Sequence, residues 1–383
     1  MRIAFLCKRR YMSKDVVLDR YARLYEIPRQ LALLGHQVLG LCWDYQGRED
    51  GEWAHEAKPG ELHWRSQALR GKGLLIRVNY AKQVLDSLRA FKPDIIIAAS
   101  DIPHIALGAW LARKLQCPYV ADLYDNFEGF VQARIPGFVQ ALRWGIRQAD
   151  LVTATSEVLR QHVLTDCKPK GMVLAMPSSV DLAVFHAQSK KACREALGLP
   201  EDAKLIGTAG GLYREKGIEP LFEAWPHIAA KRPDVHLVLA GPTEAQLPPP
   251  QGDRVHYLGM LSHAQVATLF NALDVGVISV LDTPFGRHCF PQKAYEMLAC
   301  ELPVVASNVG ATGGLFSSYP DLLFKPGNAE DLARAVLVQL TLGNRPQLPI
   351  QDWTELIKDM EQHLPAPQGR NTQSGMDHLR QAP

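Results

Sequence analysis

The sequence predicts two consecutive doubly wound α/β domains that face each other across a cleft, and three observations predict it. Short β-branched runs alternate with amphipathic helical patterns along most of the chain, as in parallel sheets whose crossovers are helices. The chain has 383 residues, 47% apolar and 21% charged. That is enough for two globular domains of roughly 100–200 residues each and excludes disorder throughout. The net charge of +2 hides an asymmetry: residues 1–180 carry 25 Lys+Arg against 18 Asp+Glu, and the remainder carry 17 against 22. The sign changes near the turn-rich Pro177-Ser-Ser-Val-Asp181.

Each strand is a short apolar run and each helix a longer amphipathic one. Strands are expected at 3–7, 37–43, 94–100, 118–123, 151–155 and 172–176, with helices at 21–34, 74–90, 105–115 and 131–148 between them. Beyond the boundary, strands are expected at 204–208, 235–240, 255–258, 275–280 and 303–307, and helices at 218–231, 264–272, 292–300 and 329–340. The domains are therefore 1–180 and 181–350. A helix at 351–364 is placed to return to the first domain, and the Gln- and Pro-rich stretch 365–383 is expected to be a disordered tail.

Composition removes several function classes. The 42 basic and 40 acidic residues build no global polycation for nucleic acid. The seven Cys are scattered without a Cys-x-x-Cys, which points to a reducing compartment, the cytoplasm, and away from a disulfide framework or a Cys-rich zinc site. The opening MRIAFLCKRR places its charges after its apolar run, the wrong order for a secretory signal. No apolar run approaches the roughly 20 residues of a membrane span.

Two segments carry chemistry. Gly207-Thr-Ala-Gly-Gly-Leu-Tyr-Arg-Glu-Lys-Gly217 follows a strand and leads into a helix. Gly210 and Gly211 let backbone approach a ligand, and Arg214 and Lys216 add cations where a helix start favours phosphate. The segment is neither a G-x-G-x-x-G fingerprint nor a Walker loop. The second segment runs from Asp282 to Cys300. Pro291 suits the first turn of a helix, Lys293 suits a diphosphate there, and Glu296, one turn deeper, suits two adjacent hydroxyls.

Together these segments resemble the retaining GT-B glycosyltransferases, specifically glycosyltransferase family 4. Weaker landmarks agree in order: Leu-Ala-Leu-Leu-Gly-His-Gln-Val38, Lys-Pro-Asp-Ile-Ile-Ile97, Ala-Asp-Leu-Val152, Leu-Ala-Gly-Pro242, Tyr-Leu-Gly259 and Pro-Gly-Asn-Ala-Glu-Asp-Leu332. The resemblance implies two Rossmann-like domains, with the donor nucleotide sugar in the second and the acceptor in the first. It implies that Lys216 grips the donor diphosphate, that Glu296 holds the ribose diol, and that no cofactor or metal is required. UDP is expected ahead of GDP. Retention in this family is explained by front-face displacement, with the leaving phosphate helping to deprotonate the acceptor, so Lys216 ranks first among catalytic candidates.

The sequence also departs from the family. An Arg that often precedes the Lys is Gly211 here, and Arg214 is the candidate to supply that charge. A first Glu that often contacts the transferred sugar is His288 here. On the acceptor side, the basic loop with Arg9 and Arg10 suits an anionic, phosphorylated or lipid-linked glycan. The strand end Ala-Asp-Leu-Tyr-Asp125 offers Asp122, Tyr124 and Asp125, and His104 follows another strand end. Asp122 and His104 join Lys216 as catalytic candidates. Arg143 and Arg147, with Phe138, Leu142, Trp144 and Ile146, could dock the first domain on anionic lipid on the inner face of the membrane, together with Lys72, Arg77, Lys82 and Arg89. A sugar-nucleotide epimerase on the same scaffold and a non-catalytic binding protein are the alternative readings.

Overall fold

Strands that are covered on both faces must be apolar along their whole length, and the expected runs fold accordingly. The computed structural model describes residues 1–11, 14–47, 50–69, 74–290 and 292–367, the side chains of 74–78 excepted. Its first part contains β1 (Arg2–Lys8), the short hairpin β2 (Arg10–Tyr11) and β3 (Lys14–Asp15), α1 (Ala22–Leu33), β4 (Gln37–Asp44), β5 (Gly51–His55) and β6 (Glu61–Ala68). It continues through α2 (Leu74–Phe91), β7 (Ile95–Ala99), α3 (Ile102–Leu115), β8 (Tyr119–Leu123), α4 (Phe138–Arg147), β9 (Leu151–Ala154), α5 (Glu157–His162) and β10 (Met172–Ala175). The sheet order is β10-β9-β8-β7-β1-β4-β6-β5, parallel except for the antiparallel β5–β6 edge.

The second part contains α6 (Lys190–Ala196), β11 (Lys204–Ala209), α7 (Glu219–Lys231), β12 (Val235–Ala240), β13 (Val255–Tyr257), α8 (His263–Ala272) and β14 (Val275–Ile278). After these come α9 (Gln292–Ala299), β15 (Val304–Ser307), α10 (Gly310–Leu315), β16 (Leu323–Phe324), α11 (Ala329–Leu342) and α12 (Trp353–Gln362). The order β13-β12-β11-β14-β15-β16 is parallel throughout. Both sheets are thus doubly wound. The first reverses its winding at β1, between β7 and β4, and the second between β11 and β14. The carboxyl ends of strands beside such reversals form crevices in which ligands bind.

Three departures from the expected elements have local causes. The expected helix 131–148 is divided at Pro136-Gly137: Gly137 takes a left-handed φ of +85° and α4 starts after it. Helix α3 starts earlier than expected because the Asp101 side chain accepts the His104 N–H and caps it. The β5–β6 edge was not expected, because β5 is exposed or half-buried throughout and in β6 each buried residue alternates with an exposed polar or charged one, leaving no apolar run.

Helix α12 joins the core of the first sheet. Trp353, Leu356, Ile357 and Met360 are buried in the same apolar cluster as Ile3, Phe5 and Leu24. At its end the Glu361 carboxylate lies 2.8 Å from His36 Nε2. From residue 368 on, the expected tail lies outside the described residues. Ile357 is fully buried, so Ile357→Ala should destabilise the chain by about 2–5 kcal/mol, measured by denaturant unfolding. A loss below about 0.5 kcal/mol would show that α12 is only loosely seated.

Candidate functional site

The second-domain half of the site is built on the carboxyl end of β11. Gly210 has a φ of +114°, and a Cβ on the facing Gly241 would lie 2.0 Å from the Gly210 carbonyl oxygen, so side-chain-free backbone is required there. The loop ends in a tight turn at Arg214–Lys216. The Lys216 Nζ lies 4.2 Å from the centroid of the Phe285 ring. Lys293, in the first turn of α9, donates from Nζ to Thr208 Oγ1 at 3.4 Å. Burial pushes its pKa down, and Lys216 adds to that while Glu296 and Cys289 oppose it. Among the described residues neither lysine has a carboxylate within ion-pair distance. Glu296 stands one turn further along α9 with 12% of its side chain exposed, and the nearest basic group is His263 Nε2 at 4.0 Å. Burial raises the Glu296 carboxyl to about 7, against the pull of Lys293.

The first-domain half gathers the ends of β1, β7 and β8. Lys8 Nζ donates to the Tyr124 hydroxyl at 2.8 Å and lies 5.8 and 5.5 Å from the Tyr11 and Tyr124 ring centroids. The Tyr124 hydroxyl in turn donates to the Ser100 carbonyl at 2.9 Å. Ser100 is fully buried with a φ of +89°, a left-handed conformation costing about 1–3 kcal/mol for a residue with a Cβ. Its Oγ accepts the Lys8 N–H at 2.9 Å. Asp125 is buried, and burial raises its carboxyl to about 6 while the Asn126 N–H, Lys216 and Lys8 pull it down. Asp125 therefore answers electrostatically to one lysine from each domain.

The structure brings Lys216, Lys293, Glu296, Gly210, Tyr124 and Asp125 to the two facing crevices and removes other expected residues from them. Asp122, expected as catalytic, is fully buried and held by Arg23 at 2.6–3.1 Å and by the Thr153 hydroxyl at 2.6 Å. It is a structural anchor. His104 is also buried; its Nδ1 is 2.6 Å from Asp101, and its Nε2 has no partner yet is sealed from solvent. That burial corrects its expected catalytic role. Arg9 is enclosed, donating to Asp15 at 3.0 Å beneath the Trp53 ring, and Arg10 shares that carboxylate at 3.4 Å. The basic loop thus spends its arginines on Asp15 and not on an acceptor.

Arg214 turns outward to pair with Glu219, correcting its expected role as a substitute phosphate ligand. Gly211 packs against the Tyr213 ring. His288 faces the first domain with its ring 4.8 Å from that of His162. Pro291 and Lys72, and the side chain of Arg77, lie outside the described residues. In α4, Leu142 and Ile146 are buried, and Arg143 makes a two-fold bond to Glu128 at 2.6 and 2.8 Å. Among the described residues no three His, Cys, Asp or Glu groups converge on a metal position, and no helix is long and apolar enough to cross a membrane.

Two residues of the site carried no motif. Tyr21, just before α1, has its ring 6.1 Å from that of His263 on α8, so the two domains meet there. Both line a cavity of about 550 Å³ together with Glu296. The only local signal at His263 is the Ser262–Gln265 capping box, which marks a helix start and no ligand.

Comparison with known proteins agrees with the two-domain fold. The family described as Glycosyl transferases group 1 matches residues 203–341, and the Glycosyl transferase 4-like domain matches residues 22–173. A Bacillus subtilis protein assigned to teichuronic acid biosynthesis as a glycosyltransferase, TuaC, is 28% identical over 285 residues, covering 74% of this chain and 68% of that protein. D-inositol 3-phosphate glycosyltransferase of Mycobacterium tuberculosis is 32% identical over 178 residues, which span 43% of this chain and only 35% of that protein. Among solved structures, sucrose-phosphate synthase of Thermosynechococcus elongatus superposes with a TM-score of 0.67 at 21% identity, covering 94% and 93% of the two chains. Anabaena HepE in complex with UDP and glucose gives 0.69 at 18% identity, covering 94% and 98%.

The two raised carboxyls have a consequence for stability. A carboxyl whose folded pKa lies above its unfolded value favours folding while protonated, and that contribution is lost as pH rises through the folded pKa. For Asp125 and Glu296 the loss falls between about pH 4 and pH 7. Asp125→Asn and Glu296→Gln should therefore each raise the melting temperature at pH 8 by a few degrees and leave it nearly unchanged at pH 4. Melting curves at both pH values check this, and a lower melting temperature at pH 8 in both variants would contradict it.

Proposed function

Because the chain belongs to the group 1 glycosyltransferases, built on the GT-B fold, we propose that it moves a sugar from a nucleoside-diphosphate sugar to a glycan hydroxyl with retention and without a metal. The observation that carries this reading is the pair Lys216 and Lys293, two cations at the crevice of the second sheet with no carboxylate within ion-pair distance among the described residues. A diphosphate supplies the missing charge, and the free N–H groups of the first turn of α9 add to it. Glu296 then meets the ribose diol.

In the reaction the bond from the anomeric carbon to the diphosphate oxygen breaks, and a bond to the acceptor oxygen forms on the same face. The acceptor proton passes to the leaving phosphate oxygen. Lys216 and Lys293 stabilise the charge that develops on that phosphate, the task a divalent metal performs elsewhere. Asp125 and Tyr124, at the facing crevice, position the acceptor hydroxyl, so the enzyme works by placement more than by a strong base. UDP is the favoured nucleotide, with GDP second, and the UDP complex of the HepE neighbour supports that order. The TuaC relative supports a growing polysaccharide as acceptor. With Arg9 and Arg10 already paired, the acceptor is recognised through its hydroxyls more than through charge.

Lys216→Ala should lower kcat/KM with the best UDP-sugar of a donor panel by at least about 10²-fold while the melting temperature holds. Near-normal transfer by that variant would remove Lys216 from the mechanism. Excess EDTA should leave transfer by the wild-type chain unchanged; a loss restored by Mg²⁺ or Mn²⁺ would overturn the metal-independent reading.

A further inference from the structure

Resting on the donor reading above, we infer that Tyr21 of the first domain and His263 of the second close with Glu296 around the ribose hydroxyls, so that the nucleoside subsite is built from both domains. The cavity of about 550 Å³ supplies the space, and all three residues line it. The gap of 4.0 Å between His263 Nε2 and the Glu296 carboxylate is too long for a hydrogen bond. A ligand hydroxyl placed between them can donate to the carboxylate and accept from an imidazole N–H. Among the described residues the Tyr21 hydroxyl and the Glu296 carboxylate have no hydrogen-bond partner in the protein. Groups of that kind beside a cavity are satisfied by water or by a polyhydroxylated ligand.

The surrounding structure holds these groups in place. The ring of His263 meets Phe185 edge-on at 4.8 Å and Tyr21 at 6.1 Å, which fixes its plane from both sides. The capping box makes His263 the first residue of α8. Tyr21 is flanked by two residues in left-handed conformation, Arg20 at φ +51° and Ala22 at φ +54°. Such strain in residues with a Cβ persists where surrounding structure over-determines it, and it clusters at ligand sites.

Charge fixes which end of the donor lies here. Five carboxylate residues line the cavity against two arginines, an environment that repels phosphate and suits hydroxyl donors. The diphosphate belongs beside Lys216 and Lys293, and the sugar hydroxyls of the nucleoside belong in this acidic cavity. Tyr21 thereby makes donor recognition depend on the position of the first domain.

Calorimetry of the full chain tests the inference with UDP, 2′,3′-dideoxy-UDP and inorganic pyrophosphate, or with the guanine pair if the wild type prefers GDP. The wild type should prefer UDP over the dideoxy analogue by tenfold or more, at about fivefold per hydrogen bond. Tyr21→Phe keeps the ring and removes only the hydroxyl. It should weaken UDP about fivefold, cut the dideoxy discrimination by a similar factor and leave pyrophosphate binding unchanged. His263→Ala should behave alike. If Tyr21→Phe binds UDP with full affinity and full discrimination, or loses pyrophosphate equally, the inference is wrong while the donor reading stands. A wild-type chain that binds neither UDP nor GDP overturns the donor reading itself.

Discussion

Two lysines that repel each other, with no carboxylate within ion-pair distance among the described residues, are the constraint around which the crevice of the second domain is arranged. Lys293 is desolvated and its pKa is depressed, with Lys216 adding to that depression. Lys216 is exposed to water, whereas the half-buried Lys293 keeps Thr208 as a hydrogen-bond partner. The second domain builds the crevice that holds them. The β11–β14 reversal leaves a crevice, the Gly210–Gly241 approach lowers its floor, and α9 points its first turn into it. The net-negative second domain provides no general attraction for phosphate, so the positive charge at this crevice is a local construction.

The first domain answers at this crevice with the buried Asp125 carboxyl. Asp125 feels both Lys8 and Lys216, so its charge state answers to both sides of the cleft. The platform beneath it is rigid. Arg23 binds Asp122 and also donates to the Met176 and Pro177 carbonyls at 2.9 and 3.2 Å. The guanidinium thereby ties α1, β8 and the start of the interdomain crossing into one unit. Removing one member of a buried pair costs about 3–5 kcal/mol because the other is stranded, which explains why this Asp is needed for the fold and is withdrawn from the chemistry. The second crossing is held at Ser179, which donates to the Gln351 carbonyl at 2.5 Å, and α12 then packs back against α1.

What could be read in the sequence follows from how local each determinant is. Strands β1, β7, β8, β11 and β12 were legible because burial on both faces leaves apolar runs. The half-exposed β5–β6 edge left no such run. Lys216, Lys293 and Glu296 were legible because each sits at fixed spacing from a strand end or a helix start. Asp122 was misread because its partner Arg23 is 99 residues away. Arg9 was misread because a basic loop looks solvated until Asp15 and Trp53 enclose it. Tyr21 and His263 belong to different domains, so no window of sequence contains their meeting.

The charge asymmetry of the two halves is therefore a weaker guide to ligands than the pairing of individual side chains. Several of the first domain's cations are committed locally: Arg9 and Arg10 to Asp15, Arg143 to Glu128, and Lys8 to the Tyr124 hydroxyl. At this crevice the surface is tyrosine, a raised carboxyl and one partly desolvated lysine, groups that can orient a hydroxyl. The second domain is net negative, yet at its crevice it holds Lys216 and Lys293, which among the described residues have no carboxylate within ion-pair distance. On the proposed reading, phosphate meets one wall and hydroxyls the other: the departing charge is stabilised where the lysines are, and the incoming oxygen is held where charge is scarce.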